Sequence, residues 1–184
     1  MKSQTLTNPT SNGSSGDATL ALLSFTIEAQ RYSLPVTRVV RIIEMVTITQ
    51  LPGLLNPIEG IINLRCRAVP VMDLRHRFGL PPKAYGLHTP IILVDMNGAG
   101  RMLGLIVDTV EDVLDVPHAK LEATEMIVPP ELAWQMATRT AYLAGVAKVE
   151  RQMIMVLDPK TLLTPAEQNR LSKALDSREL EINS

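Results

Sequence analysis

A mainly β chain built as small barrels and closed by a C-terminal helix is what this sequence predicts. Three observations carry that prediction. Short apolar runs rich in Val, Ile and Leu recur from about residue 20 to residue 157, separated by turn residues or charged pairs. Little between them has helical period, which argues for small barrels over a parallel sheet flanked by helices. Thr164-Pro165-Ala166-Glu167 then matches a capping box with Pro at the first helical position, and Leu171, Ala174 and Leu175 share one face behind it.

Taken in order, residues 1–18 are dominated by Ser, Thr, Asn and Gly and predict a disordered tail. Residues 20–27 (LALLSFTI) and 32–36 read as two strands around a polar turn at 28–31. The β-branched run VVRIIEMVTI, residues 39–48, favours a further strand before the Pro and Gly of the 52–57 loop. GIINLR (60–65) and AVPVMD (68–73) form a tight hairpin, and Asp73 can cap a short helix ended by Gly79. The segment 80–89, with Pro81, Pro82 and Gly86, is the expected boundary between two lobes. A similar rhythm then restarts. Strands are expected at 91–95, 102–107, 110–116, 142–149 and 153–157, with a longer polar stretch at 117–130 and a helical turn at 131–136. The folded domain therefore spans 19–163, and the helix 164–184.

Composition narrows the function classes. Of 184 residues 46% are apolar but only 3% aromatic, so the core must be aliphatic, helped by nine methionines. The formal charge of −1, from 18 basic and 19 acidic residues, gives no long-range pull towards nucleic acid or anionic lipid. Two Phe, three Tyr and one Trp offer few platforms for base stacking. The single cysteine, Cys66, cannot form a disulfide within the chain and fits a reducing compartment. The N-terminus lacks the apolar core of a signal peptide, and no apolar run is long enough to span a bilayer. A cytoplasmic protein is expected.

Catalytic chemistry finds little support. His76, His88 and His118 are far apart and form no ligand pattern with Cys66, so no metal site is expected, nor any cofactor. Cys66 with His76 as base would make a thiol nucleophile or redox sensor, but no local signature accompanies it. Asn97-Gly98-Ala99-Gly100 looks like a phosphate loop, yet it leads into a strand rather than a helix and reads as a hairpin turn. Asp73, Asp95, Asp108 and Asp158 each follow an apolar run, where carboxylates serve as caps more often than as acids or bases.

One ordered set of motifs goes further. Gly60-Ile61-Ile62-Asn63-Leu64-Arg65 followed by Val69-Pro70-Val71-Met72-Asp73-Leu74-Arg75 resembles the central signature of the CheW-like coupling proteins of bacterial chemotaxis. Phe25 with Tyr32-Ser33-Leu34-Pro35-Val36, Leu51-Pro52, Gly104-Leu105-Ile106-Val107-Asp108, and Leu157-Asp158 with Leu162-Leu163 fit in the same order. The resemblance implies two small five-stranded barrels side by side and no catalytic activity. It also implies a scaffold that joins the cytoplasmic tips of methyl-accepting chemoreceptors to a CheA-type histidine kinase, reaching membrane arrays only through those partners.

On the same resemblance, Arg65 matches an arginine at the receptor-binding groove, Val39 and Ile42 match apolar positions there, and Leu103 with Gly104 match the facing edge of the other barrel. Two departures stand out. Cys66 occupies the turn position where the family usually has Gly, and Arg41 stands where many relatives carry Glu. A reversed charge at an interface excludes one partner and suits another, so a specialised pathway is expected, such as surface motility or second-messenger output.

Overall fold

In the computed structural model, residues 18–53, 56–124 and 141–182 are described, without side-chain detail for 177–182. The expected tail and the helical turn at 131–136 fall outside them. Eleven strands among the described residues make two sheets. The first contains β1 (Thr19–Ile27), β2 (Gln30–Pro35), β8 (Thr109–Pro117), β9 (Leu121–Ala123), β10 (Leu143–Val149) and β11 (Gln152–Leu157), in the order β8-β1-β2-β11-β10-β9. The second contains β3 (Val39–Glu44), β4 (Ile58–Leu64), β5 (Arg67–Asp73), β6 (Pro90–Asp95) and β7 (Met102–Ile106), in the order β3-β6-β7-β5-β4. Helix α1 (Leu74–Arg77) follows β5, and helix α2 (Pro165–Ile182) closes the described chain.

Each sheet curls so that its edges approach. The outer strands β8 and β9 are successive in the chain, joined by a 3-10 turn at His118–Lys120. In the other sheet, an isolated bridge between Thr49 and Ile61 carries the continuation of β3 to β4. Curling leaves an inner face and an outer face on every strand; both are covered on the central strands, whereas β3 and β8 leave much of one face exposed. Ile62, Val69, Val71, Ile91, Leu93 and Ile106 fill the inside of the five-stranded sheet. Leu22, Val116, Ala147, Ile154 and Val156 fill the six-stranded one. The largest cluster lies between the sheets and takes Phe25, Leu34, Met72, Ile92, Leu103 and Leu157 from both. This is why β6 reads as the unbroken run Ile91-Ile92-Leu93-Val94: alternate residues face two different cores.

The lobe boundary expected at 80–89 is corrected by the topology. That segment joins β5 to β6 within one sheet. The chain crosses between sheets at Val36–Arg38 and again at residues 107–108, so the five-stranded sheet is an insertion in the six-stranded one. Pro81, Pro82 and Gly86 mark a loop, but composition cannot say which strands a loop connects. The repeated rhythm is real at the level of topology. β5 pairs in parallel with β7, and β11 with β2. An aspartate at the end of β5 and another just after β11 each cap a short helical turn: Asp73 accepts from the Arg75 N–H at 2.8 Å, and Asp158 from the Lys160 N–H at 3.0 Å.

One buried polar network ties the sheets. Arg75 of α1 grips Asp108 with two hydrogen bonds, Nε–Oδ1 at 3.0 Å and Nη2–Oδ2 at 2.6 Å. Its Nη1 reaches Glu28 Oε1 and the Pro81 carbonyl, both at 3.1 Å. Asp108 also accepts from the Glu28 N–H at 2.7 Å. The network thus joins the β1–β2 turn, the β7–β8 crossing, α1 and the 80–89 loop. The paired guanidinium, with the Glu28 N–H, holds the Asp108 carboxyl down to about 2.

Candidate docking site

The β4–β5 hairpin turns on two residues, Arg65 and Cys66, one place earlier than Cys66 and Arg67. Both adopt left-handed backbone, with φ of 49° and 63°. Two successive positive φ values are what a tight twisted hairpin demands, and the Asn63 side chain supports the turn by accepting from the Cys66 N–H at 3.1 Å. The turn is therefore kept despite the missing glycine, with strain at Cys66. Cys66→Gly is expected to stabilise the fold by about 1 kcal/mol, read as a higher urea midpoint at unchanged slope. A lower midpoint would show that the thiol contributes more than the backbone strain costs.

Arg65 is exposed, and among the described residues its guanidinium has no ion-pair partner, unlike Arg31, Arg75 and Arg77. Strand register places it at one end of the five-stranded sheet. The β6–β7 turn lies at the same end, since Arg67 Nη2 donates to the Gly100 carbonyl at 3.4 Å. That turn is built around Asp95, whose carboxylate accepts from the N–H groups of Asn97, Gly98 and Gly100 at 3.2, 2.9 and 3.0 Å. Those bonds, led by the one from Gly100, lower the Asp95 pKa. The Asn97–Gly100 segment is thus a hairpin turn whose amides already serve an internal carboxylate.

Val39 pairs with Val94 and Arg41 with Leu93, so β3 begins at this same end. Arg41 and Ile42 are exposed, whereas Val39 is half-buried against the central core. A bulge between Val39 and Arg41 shifts the phase of the strand and turns Val40 outward instead, 54% exposed. Val46 continues the apolar edge at 45%. Val40 and Val46 escape a sequence reading because a bulge leaves no mark in a run of β-branched residues.

Leu103 and Gly104 are corrected. Leu103 is fully buried in the central core, and Gly104 lies mid-sheet between β6 and β5. A Cβ on Gly104 would sit 3.1 Å from Ile91 and 3.2 Å from Val71, so the glycine serves close packing. Neither residue presents a surface; both back the strands that do.

The thiol reading fares poorly. Cys66 is exposed at one end of β5 and His76 follows its other end, a strand of seven residues away, or roughly 20 Å. His76 Nδ1 instead pairs with Glu59 at 2.5 Å. Folding brings Glu59, Asp73 and His76 together with ligand-type atoms within 4.8 Å, a grouping invisible in their spacing. Both Asp73 oxygens are already engaged, by the Arg75 N–H and by Tyr85 Oη at 2.7 Å. The trio satisfies itself.

Helix α2 begins with the expected reciprocal cap. The Thr164 N–H donates to Glu167 Oε2 at 2.7 Å, and the Glu167 N–H to Thr164 Oγ1 at 3.2 Å. Its Leu171 is buried and Leu175 packs on the central core, so the helix lies against its own sheets. No helix among the described residues is long and apolar enough to cross a membrane.

Two curled aliphatic sheets carry an exposed apolar strand edge and, at the same end, an arginine without an ion-pair partner among the described residues, a surface of the kind that protein docking uses. Residues 21–167 match the family model for the CheW-like domain, and the chain belongs to the CheW-like family. It is 31% identical over 145 residues to the chemotaxis protein CheW of Klebsiella aerogenes, covering 79% of this chain and 82% of that one. With CheW of Bacillus subtilis the identity is 30% over 142 residues, covering 77% and 85%. The crystal structure of a CheW scaffolding protein from Thermoanaerobacter tengcongensis superposes with a TM-score of 0.65 at 30% identity, over 76% of this chain and 89% of that one.

Proposed function

We propose that this protein is a non-enzymatic chemotaxis scaffold that couples the cytoplasmic tips of chemoreceptors to a CheA-type histidine kinase. The observation that carries the reading is the shared end of the five-stranded sheet. There the exposed Arg65, without an ion-pair partner among the described residues, stands with Arg41 and the outward-facing Val40 and Ile42. A helical receptor hairpin needs apolar anchors for energy and a charge to set its register, and this surface supplies both. Relatives named as CheW chemotaxis and scaffolding proteins support the assignment. The test is reconstitution of kinase, receptor-bearing membranes and this protein. Receptor control of kinase activity should appear only when all three are present. Control that is the same without this protein would refute the reading.

Arg41 supports a finer reading, that the partners belong to a specialised pathway. It is exposed on β3 at the position where many relatives carry Glu, so a receptor surface complementary to Glu would meet like charge. Arg41→Glu is expected to improve binding to a general swimming receptor several-fold, measured by titration with its tip fragment. Full-strength binding of that fragment to the unaltered chain would contradict this.

A further inference from the structure

The formal charge of −1 hides a polarity in the five-stranded sheet. Its carboxylates and its arginines gather at opposite ends. Glu44 ends β3 opposite Pro90, Glu59 lies near the start of β4 and Asp73 ends β5, which puts all three at the end away from the Arg65 turn. At the Arg65 end stand Arg38, Arg41, Arg65, Arg67 and Arg101. The remaining carboxylate of these strands, Asp95, shares that end but is committed to the amides of the β6–β7 turn. Arg38 lies over the same turn, where a Cβ on Gly98 would sit 3.3 Å from its Nη1.

The other four arginines keep their full charge. All are exposed, and none has an ion-pair partner among the described residues. Two of them are held by neutral oxygens: Arg67 donates to the Gly100 carbonyl at 3.4 Å, and Arg101 to Ser172 Oγ of α2 at 2.6 Å. The strand order β3-β6-β7-β5 spreads Arg41, Arg101 and Arg67 over three strand spacings, about 14 Å along the sheet and little more than the width of one helix. Guanidinium groups gathered this closely repel one another, a cost that carboxylates on a partner relieve. Val40 and Ile42 lie beside them, so the surface fits an amphipathic helix carrying both apolar anchors and carboxylates.

We propose that this end of the sheet selects an acidic partner: the chemoreceptor hairpin that docks here presents clustered Asp and Glu side chains to Arg41, Arg65, Arg67 and Arg101. The inference rests on the receptor reading above and adds Arg67 and Arg101 as residues that set its specificity. Guanidinium–carboxylate pairs are planar and often two-pronged, so clustered arginines fix the register of the carboxylates they hold. Their summed field draws an acidic hairpin in and turns a basic one away. Arg41 is then one member of a set rather than an isolated reversal of charge.

The test titrates the full chain calorimetrically with tip hairpin fragments of the chemoreceptors from the same genome. Titrations are run at about 0.1 M and about 1 M salt, between which the screening length falls from about 10 Å to about 3 Å. The fragment that binds should carry clustered carboxylates, and its affinity should fall by about ten-fold or more at the higher salt. Arg67→Glu and Arg101→Glu should each weaken it by about ten-fold at low salt and by much less at high salt, a dependence that a merely structural role would not produce. Should Arg101→Glu disturb α2 through Ser172, Arg67→Glu alone decides. A fragment bound equally well at both salts, or unaffected by Arg67→Glu, overturns the acidic partner and leaves the receptor reading standing. Absence of binding by every fragment overturns both. Salt-sensitive binding of phosphatidylglycerol vesicles, with no fragment bound, would assign the arginines to a lipid surface and likewise overturn the proposal.

Discussion

Replacing Arg75 by alanine is expected to destabilise the protein by about 3 kcal/mol or more, enough to halve the stability of a small domain. The side chain of Arg75 is 10% exposed and that of Asp108 14% exposed, and their paired hydrogen bonds join elements from both sheets. Removing the guanidinium leaves a largely buried carboxylate facing only the exposed Lys83 ammonium at 3.5 Å, which costs more than the pair itself contributes. Urea denaturation reads the loss directly. Acid provides a second signature. The folded pKa of Asp108, about 2, lies below the ordinary carboxylate value, so the stabilisation is complete above that ordinary value and is lost as the pH falls from about 4 towards 2. Its share is about 2 kcal/mol. The unaltered chain should lose stability across that range more steeply than Arg75→Ala. Parallel acid profiles would show that the contact contributes little.

Arg65→Glu is expected to leave the fold intact and weaken receptor-fragment binding by roughly 30-fold or more, equivalent to about 2 kcal/mol. The fold should survive because Arg65 is exposed in a turn and has no ion-pair partner among the described residues. Binding should suffer because the charge is reversed beside the apolar edge of Val40 and Ile42, so acidic groups on the partner that an arginine attracts would be repelled. Arg65→Gly, which keeps the φ of 49° without strain, separates loss of charge from loss of turn geometry. Unchanged affinity in both variants would remove Arg65 from the site.

Local chemistry was the legible part of this molecule. The Thr164–Glu167 box, the Asp73 cap and the hairpins at 58–73 and 143–157 follow from residues close in sequence, and the structure has them nearly where the pattern puts them. Polar residues blurred the ends. Gln30 and Arg31 look like turn but pair with Ile27 and Thr26, because a strand with one solvated face accepts polar side chains. β9 was hidden in a polar stretch for the same reason. Sheet membership was not legible at all. Whether a strand joins its neighbour in sequence or crosses to the other sheet is decided by long-range pairing, as β3 with β6 and β8 with β1 show.

The site divides along the same line. Arg65, Arg41 and Ile42 are exposed, since exposure of a turn or edge residue is largely a local property. Leu103 and Gly104 failed because their burial depends on what packs across two sheets. The Arg75–Asp108 clamp spans 33 residues and a change of sheet, and neither partner's surroundings in sequence announces it.

The coupling role is tested most directly by calorimetric titration of this protein with the regulatory domain of a CheA-type kinase from the same genome. Binding at micromolar affinity or tighter, about −8 kcal/mol, is the predicted result. A folded protein that binds no such kinase domain would contradict the coupling role while leaving the two-sheet fold in place.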